Sequence, residues 1–455
     1  MFKKSFLRIV GLAIIATLTL GLLVACGNND APAADEPDEP AVVDTNDDDD
    51  DEDVEDPAPP ADDAGITLRF MQGKVEIDGQ LRSFAQDHYS RTGVMVQIES
   101  IGGGADYFGT LLQYLAAGNM PDLFSFETMD APDILDLFHD LSGTPIVDAS
   151  DYVFFDADGR AIGAPFSIEG LGLIYNADIL AQAGIDPDQL LTYQGVRDAF
   201  ETIDGMLDEL GLQAVASVAA ESGNMWWSSR HMLGSFLTLG QDQDDKSIID
   251  DFKNGIVDRD RFEAWTDYIA LLYEFADPHI LVSGDYDSQL ALFATGGAAF
   301  VTQGNWIDPT LINQFGVEFD AGIVPYSFLP VATPGAIADS PSFWAVYTGG
   351  DHVEEAVAFL SDLLLSDEGA RLLVEEAGMI SAIRDVELLP TMPVSANLAE
   401  RVNQGPTFAW DWLTLTTDLG MNHLGLIHEL FARGDIDRDG FVEMMITAIE
   451  DFYGN

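Results

Sequence analysis

The segment Pro-Phe-Ser-Ile-Glu-Gly-Leu-Gly-Leu-Ile-Tyr-Asn, residues 165–176, decides the fold class because it holds the apolar strand Leu171 to Tyr175. Strand and helix patterns alternate on both sides of this strand. Val94 to Glu99 alternates as a strand, and Val353 to Leu365 is an amphipathic helix. This alternation predicts an α/β architecture. The chain from Ile66 onward has about 390 residues, which is enough for two lobes.

The N-terminus predicts export followed by lipid attachment. A basic start precedes the uncharged apolar run Ile9 to Leu23, which has the layout of an export signal and is too short to favour a stable membrane span. Cys26 is the only cysteine of the 455 residues, and Leu23-Val24-Ala25-Cys26 resembles the lipobox of bacterial lipoproteins. That resemblance implies a signal peptide at 1–25 and a diacylated N-terminal Cys26. The alternative is an ordinary signal in which the cysteine is incidental.

Residues 26–65 predict a disordered acidic linker. Asp30 to Ala64 contains 17 acidic residues and no Lys or Arg, and such composition cannot form a core. A role in binding cations or a basic partner is the alternative.

The body that follows has 62 acidic and 16 basic residues, a net charge of −46. This charge argues against a nucleic-acid partner, and it favours a saline or alkaline surrounding.

Four segments resemble the extracellular solute-binding proteins of ABC importers, specifically the sugar-binding group that includes maltose-binding protein. Their order and spacing, together with the lipobox, are specific to this group. The segments are Ala117-Gly-Asn-Met-Pro-Asp-Leu-Phe124, residues 165–176, Phe293-Ala-Thr-Gly-Gly-Ala-Ala-Phe-Val-Thr-Gln-Gly-Asn-Trp306, and Leu365-Ser-Asp-Glu-Gly369. At Gly297 the family usually has a charged residue.

The resemblance implies a two-lobed type II periplasmic-binding-protein fold, in which each lobe is a mixed sheet flanked by helices and the ligand lies in the cleft between lobes. Residues 66–168 and 343–383 would form lobe one, and residues 170–341 and 385–455 lobe two. The implied function is capture of a carbohydrate, with an oligosaccharide favoured, by a monomer anchored to the outer face of the cell membrane. An ABC permease would be its partner, and no cofactor, metal or catalytic residue is implied.

A sugar offers an apolar face and a rim of hydroxyls, so its site needs aromatic platforms and paired hydrogen-bonding groups. Trp306 matches the family's stacking tryptophan, Phe126 falls on a second aromatic position, and Trp410 on a third whose register Phe408 and Trp412 make uncertain. Glu169 stands where maltose-binding protein has a sugar-binding glutamate, although a satisfied polar residue at a hinge is the other interpretation.

Further candidates for ligand contacts come from other parts of the sequence. Gln72 and Lys74 lie in the loop after the first strand, where the family's first-lobe polar contacts originate. Glu127, Trp226 and Trp344 could either bind ligand or be explained by packing or simple exposure. Trp265 lies between acidic helix residues and is assigned to the core. The segment Asp435 to Gly440 matches the first half of an EF-hand calcium loop. Ile446 stands at the position that calcium requires to be Glu, so this segment predicts an Asp-capped helix instead.

Two other functions stay open from the residues alone. A surface glycosidase would need two carboxylates about 5 to 10 Å apart across the scissile bond, and the acid-rich body shows no catalytic motif that would single out such a pair. The same fold could instead take a polyamine, a metal complex or a phosphate ester. Sparse bases count against phosphate, whereas the acidity leaves a cationic solute open.

Overall fold

The structure is a computed structural model, and it describes residues 65–102, 105–220, 227–242, 245–416 and 418–454. All of these described residues belong to one compact unit. The predictions made for 1–25, for Cys26 and for the acidic linker up to Ala64 therefore lie outside the described residues. Within the described residues, no helix combines the length and the apolar character needed to cross a bilayer.

Helices and strands alternate along the chain as the sequence predicts. Strands β1 to β12 span, in order, Thr67–Gln72, Met95–Ser100, Leu123–Glu127, Phe154–Phe155, Ala161–Pro165, Glu169–Asn176, Ala214–Ser217, Ala298–Gly304, Ala321–Val324, Ala336–Asp339, Ser342–Val346 and Thr407–Phe408. Helices α1 to α16 span Asp78–Thr92, Tyr107–Ala116, Pro145–Asp148, Ala177–Ala183, Tyr193–Asp204, Leu207–Leu210, Met232–Thr238, Ser247–Phe252, Arg259–Glu274, Pro278–Ser283, Tyr286–Ala294, Val353–Leu365, Asp367–Arg371, Pro393–Gln404, Gly425–Ala432 and Arg438–Tyr453.

The strands form two mixed sheets. The first has the order β2-β1-β3-β11-β5-β4, and the second has the order β12-β10-β6-β8-β7 with β9 also paired to β6. The chain passes from the first sheet to the second through Phe166-Ser167-Ile168, between β5 and β6, and returns between β10 and β11. The α/β, two-lobed fold class is confirmed. We name the two sheets with their helices the first and second lobe, and their residue boundaries stay a prediction.

Alternation along the strands gives each lobe its core. On one face of the first sheet Phe70 and Trp344 meet edge to face at 5.4 Å, and both pack under α12. On the other face Phe126 and Phe343 pack together at 5.5 Å. In the second lobe β6 is central, with Leu173 and Ile174 in clusters on opposite faces.

Two packing predictions are confirmed. Trp265 is fully buried, and its indole nitrogen donates a hydrogen bond to the Met232 carbonyl at 2.9 Å. The EF-hand-like segment ends in an Asp-capped helix, because Asp437 accepts a hydrogen bond from the backbone N–H of Gly440 at 2.8 Å and α16 follows. In the part of the chain that the structure describes, no three His, Cys, Asp or Glu side chains converge on a metal site.

Candidate functional site

The loop after β1 carries Lys74 towards the second lobe, and Gln72 fixes its shape. The Gln72 side chain is fully buried; its amide nitrogen donates to the Lys74 carbonyl at 2.8 Å, and its amide oxygen accepts from the Lys74 backbone N–H at 2.6 Å. Gly102 permits the loop to lie close, because a Cβ there would stand 2.3 Å from the Gly73 carbonyl oxygen. Gln72 therefore positions Lys74 from within the first lobe.

Lys74 and Glu169 form an ion pair between the lobes. The Lys74 ammonium lies 2.6 and 2.8 Å from the two carboxylate oxygens of Glu169, which begins β6. The Ser167 hydroxyl also donates to Glu169 at 3.2 Å. Burial alone would lower the pKa of Lys74, but the carboxylates of Glu169 and Glu76 outweigh it and raise that pKa. Lys74 is therefore a charged, hydrogen-bonded group within the cleft.

Glu76 adds a second contact between the lobes. Its carboxylate accepts a hydrogen bond from the hydroxyl of Tyr286, the first residue of α11, at 3.2 Å. Burial raises the pKa of Glu76, while Lys74 partly opposes that effect. Lys74 and Glu76 of the first lobe therefore each have a polar partner on the second lobe.

Trp306 stands beside this ion pair in a short 3-10 helix, Asn305–Ile307, that follows β8. Its indole nitrogen donates to the Gln303 side-chain oxygen at 3.1 Å, and the Gln303 amide donates in turn to Gln289 at 2.7 Å. A Cβ at Gly304 would lie 2.1 Å from the Trp306 ring, so glycine makes room for the indole. These contacts fix the orientation of the Trp306 indole, and the Lys74 ammonium lies 5.8 Å from the centroid of that ring.

Trp410 and Trp412 pack next to Trp306 and are each 3% exposed in this conformation, and His231 lies among the three rings. The ring centroids of Trp306 and Trp410 are 6.3 Å apart, and those of Trp410 and Trp412 are 5.7 Å apart. His231 lies 5.4 Å from Trp306 and 5.2 Å from Trp412. Burial first, and then Arg230 and Lys74, lower the pKa of His231 to about 3, so the imidazole is neutral at physiological pH. We refer to these four residues as the aromatic cluster.

Arg230 and Glu127 pair across the lobes at the far end of the aromatic cluster. Arg230 belongs to the π-helical turn Trp227–His231, and its guanidinium lies 4.0 Å from the carboxylate of Glu127 at the end of β3. Asp130 accepts a hydrogen bond from the Glu127 backbone N–H at 3.3 Å. Burial and the Glu127 charge raise the pKa of Asp130 to about 7.

The sequence-predicted residues thus divide into two sets. Lys74, Glu169, Trp306 and Trp410 lie together, Gln72 supports them, and Glu127 lies beside Arg230. Phe126 and Trp344 are buried on opposite faces of the first sheet, at 2% and 0% exposure, in apolar clusters.

This placement favours core packing for both rings, because successive residues of a strand point to opposite faces and the Phe126 and Trp344 rings are covered by protein side chains. Trp226 lies outside the described residues. Its neighbour Trp227 is buried and donates to the Tyr326 hydroxyl at 3.1 Å.

Sequence reasoning missed Arg230 and His231, and it treated Trp412 only as a source of uncertainty in register. The Trp412 ring fits against α7 because residue 234 is glycine, where a Cβ would stand 2.5 Å from the ring. The sequence signal for Trp412 was its position two residues after Trp410. No local sequence pattern marks Arg230 or His231.

The two lobes meet closely in this conformation. A cavity of about 20 Å³ lies among Lys74, Glu169 and Trp306, and one of about 10 Å³ lies among Met129, Arg230 and Trp412. Each holds about one water molecule at most. A larger cavity of about 620 Å³ lies beside α13 and residues 383–388, but no tryptophan lines it, so the aromatic cluster is the better candidate.

Comparison with known proteins identifies the family of this chain. A family model described as "Bacterial extracellular solute-binding protein" matches residues 82–400, more than half of the chain. A search of curated protein sequences found no match.

Similar solved structures include a Bacillus licheniformis sugar transporter in complex with stachyose, with 20% identity, a TM-score of 0.66, and coverage of 84% of this chain and 98% of that one. A chitin oligosaccharide binding protein has 15% identity, a TM-score of 0.68 and coverage of 86% and 100%. A Listeria monocytogenes ABC substrate-binding protein in complex with cycloalternan has 17% identity, a TM-score of 0.65 and coverage of 86% and 99%. These likenesses support the fold, and the family match confirms the resemblance: the chain belongs to the bacterial extracellular solute-binding proteins.

Proposed function

We propose that this protein captures a carbohydrate outside the cell and delivers it to the permease of an ABC importer, without cleaving it. The observation that carries the proposal is the aromatic cluster, placed between two lobes and bordered by ion pairs. Flat indole faces suit the apolar face of a sugar, and the charged groups at either end suit its hydroxyls. Similar structures with bound stachyose, raffinose and cycloalternan support the same ligand class.

Within this proposal, residues 1–25 are removed and Cys26 carries the lipid anchor. The acidic linker of residues 26–65 separates the anchor from lobe one, which takes 66–168 and 343–383, and from lobe two, which takes 170–341 and 385–455. Two acyl chains give lasting attachment to the outer face of the membrane, and the protein acts there as a monomer.

Ligand capture requires the lobes to open, because the present cavities are smaller than any sugar ring. A sugar that contacts both lobes stabilises the closed form by its differential affinity for that form. Closure then presents both lobes together to the permease. Glu169, Trp306, Trp410 and Lys74 are the proposed ligand contacts, with Gln72 as the residue that positions Lys74.

The position of Lys74 disfavours a cationic solute. Its ammonium already lies near the Trp306 ring and pairs with Glu169, so a polyamine would meet a like charge at the very place where its own cation would bind. The local charges therefore favour a neutral carbohydrate over a cationic solute.

The test is a titration of the mature protein with a panel of neutral sugars, monitored by tryptophan fluorescence and calorimetry. We expect Trp306→Ala to weaken binding at least tenfold, whereas Trp265→Phe, which changes a buried core indole, should bind like the wild type. Equal affinities in Trp306→Ala and wild type would reject the site. Release of reducing sugar by the purified protein would reject the receptor role.

A further inference from the structure

Arg230 is the least satisfied charged group among the described residues of the cleft. Its side chain is only 16% exposed, and its one ion-pair contact, to Glu127, is a long 4.0 Å. Its guanidinium makes no hydrogen bond to the described residues, and the Nε atom is buried without a partner. The Nε–H group is a hydrogen-bond donor, and leaving such a donor buried without an acceptor is costly.

Arg230 lies at the end of the cleft opposite to the Lys74–Glu169 ion pair. The small cavity that Arg230 lines with Met129 and Trp412 shares no residue with the cavity at Lys74, Glu169 and Trp306. Trp410 contacts both Trp306 and Trp412, and so joins the two ends of the aromatic cluster. In this closed conformation the Trp410 and Trp412 rings pack against each other and each residue is only 3% exposed. The cleft therefore has two ends, and different units of one ligand would contact them once the lobes open.

Resting on the proposed carbohydrate function, we propose that Arg230 and Glu127 form a second sugar subsite that binds vicinal hydroxyls of another unit, so that the ligand is a neutral oligosaccharide. A hydroxyl can accept from the Arg230 guanidinium and donate to the Glu127 carboxylate at the same time. An aromatic wall, Trp412, lies beside the same cavity. Arg230 thereby determines specificity for chain length.

The charges at this end select a neutral unit. The Glu127 carboxylate lies 4.0 Å from the Arg230 guanidinium and offsets its charge. A uronic acid carboxylate would bind Arg230 but would also face the like charge of Glu127, which would weaken its binding. A pair of hydroxyls avoids this repulsion and uses the groups of both signs.

The experiment measures how affinity changes with ligand length. Calorimetric titrations of the mature protein use two neutral series, galactose with raffinose and stachyose, and glucose with maltose and maltotriose, and a matched series of oligogalacturonides. We expect Arg230→Met to remove the gain in affinity that longer sugars give, about 10-fold to 100-fold, and to leave binding of the shortest ligand nearly unchanged. Arg197→Met, which removes a guanidinium on α5 outside the cleft, is the matched control and should follow the wild type.

The titrations distinguish failure of the second subsite from failure of the proposed carbohydrate function. An Arg230→Met affinity series parallel to that of the wild type would overturn the second subsite while leaving the carbohydrate function in place. Tighter binding of oligogalacturonides than of neutral sugars by the wild type would overturn the neutral class. If no sugar binds to the wild type, the proposed function and this subsite both fall. Should Arg230→Met fail to fold, Arg230→Lys and Glu127→Gln serve in its place, and both should reduce the gain from added units.

Discussion

Breaking the Lys74–Glu169 ion pair should destabilise the closed protein measurably. Lys74→Met leaves the Glu169 carboxylate, only 4% exposed, without its cation. Removing one partner of a fully buried pair costs about 3–5 kcal/mol. The cost should be smaller here, since the Lys74 side chain is 18% exposed and Ser167 continues to donate to Glu169. We expect a loss of about 1–3 kcal/mol in the free energy of unfolding.

The double variant shows how much of the lost stability comes from the interaction between Lys74 and Glu169 themselves. Lys74→Met with Glu169→Gln removes both charges, so no uncompensated ion stays buried, and its stability should recover towards that of the wild type. Urea denaturation of the wild type, the two single variants and the double variant at neutral pH gives the coupling free energy. The matched control is the cycle for Arg259 and Glu443, an ion pair at 2.8 Å with both side chains exposed, for which solvent screening predicts much weaker coupling.

A coupling at Lys74 and Glu169 no larger than that of the exposed control pair would refute the reasoning, because it would mean that water already separates or surrounds these charges. Small-angle scattering of the same variants gives an independent readout. The single variants should show a larger radius of gyration than the wild type when no ligand is present, since an uncompensated charge regains water by opening the cleft.

Three further outcomes are expected from the same structure. Gln303→Leu removes the acceptor of the Trp306 indole N–H, so sugar affinity should fall about tenfold or less with little change in fold, as circular dichroism would show. Asp130 has a pKa raised to about 7, against about 3.9 in an unfolded chain; the folded state binds the extra proton, so stability should decline as pH rises from about 4 to 7. Asp130→Asn should remove that decline in urea titrations at several pH values, and an unchanged slope would assign it to another group. Finally, the net charge of −46 in the body predicts that added salt raises the thermal unfolding temperature, and a maximum at very low ionic strength would contradict it.

Much of the fold was predictable because its decisive segments are local. The apolar run Leu171 to Tyr175 is found within β6, and the predicted strand Val94 to Glu99 overlaps β2 at Met95–Ser100. Strong periodicity and short turns set these elements without help from distant residues. The strand pairings were not readable in this way, because β6 contacts β8, β9 and β10, all more than a hundred residues away.

The site was only partly predictable because most of its members are brought together by tertiary structure. Trp306 could be identified since its motif places it directly after a buried strand. Phe126 and Trp344 differ because the face of a strand residue depends on strand register: Phe126 opposes Phe343 and Trp344 opposes Ser125. Arg230 and His231 lie in a π-helical turn, and irregular helices of this kind leave no simple periodic pattern in the sequence.

The contacts between the lobes explain how a protein with two well-packed cores could still open. The described polar contacts at the cleft, Glu76 with Tyr286, Lys74 with Glu169 and Glu127 with Arg230, can each be exchanged for contacts with water. A typical intramolecular hydrogen bond contributes only about 0.5–1.5 kcal/mol net, because water replaces it on opening. Exposing either sheet's apolar clusters has no such compensation. Motion is therefore least costly between the lobes, and the few kcal/mol involved are within what a ligand's differential affinity can supply.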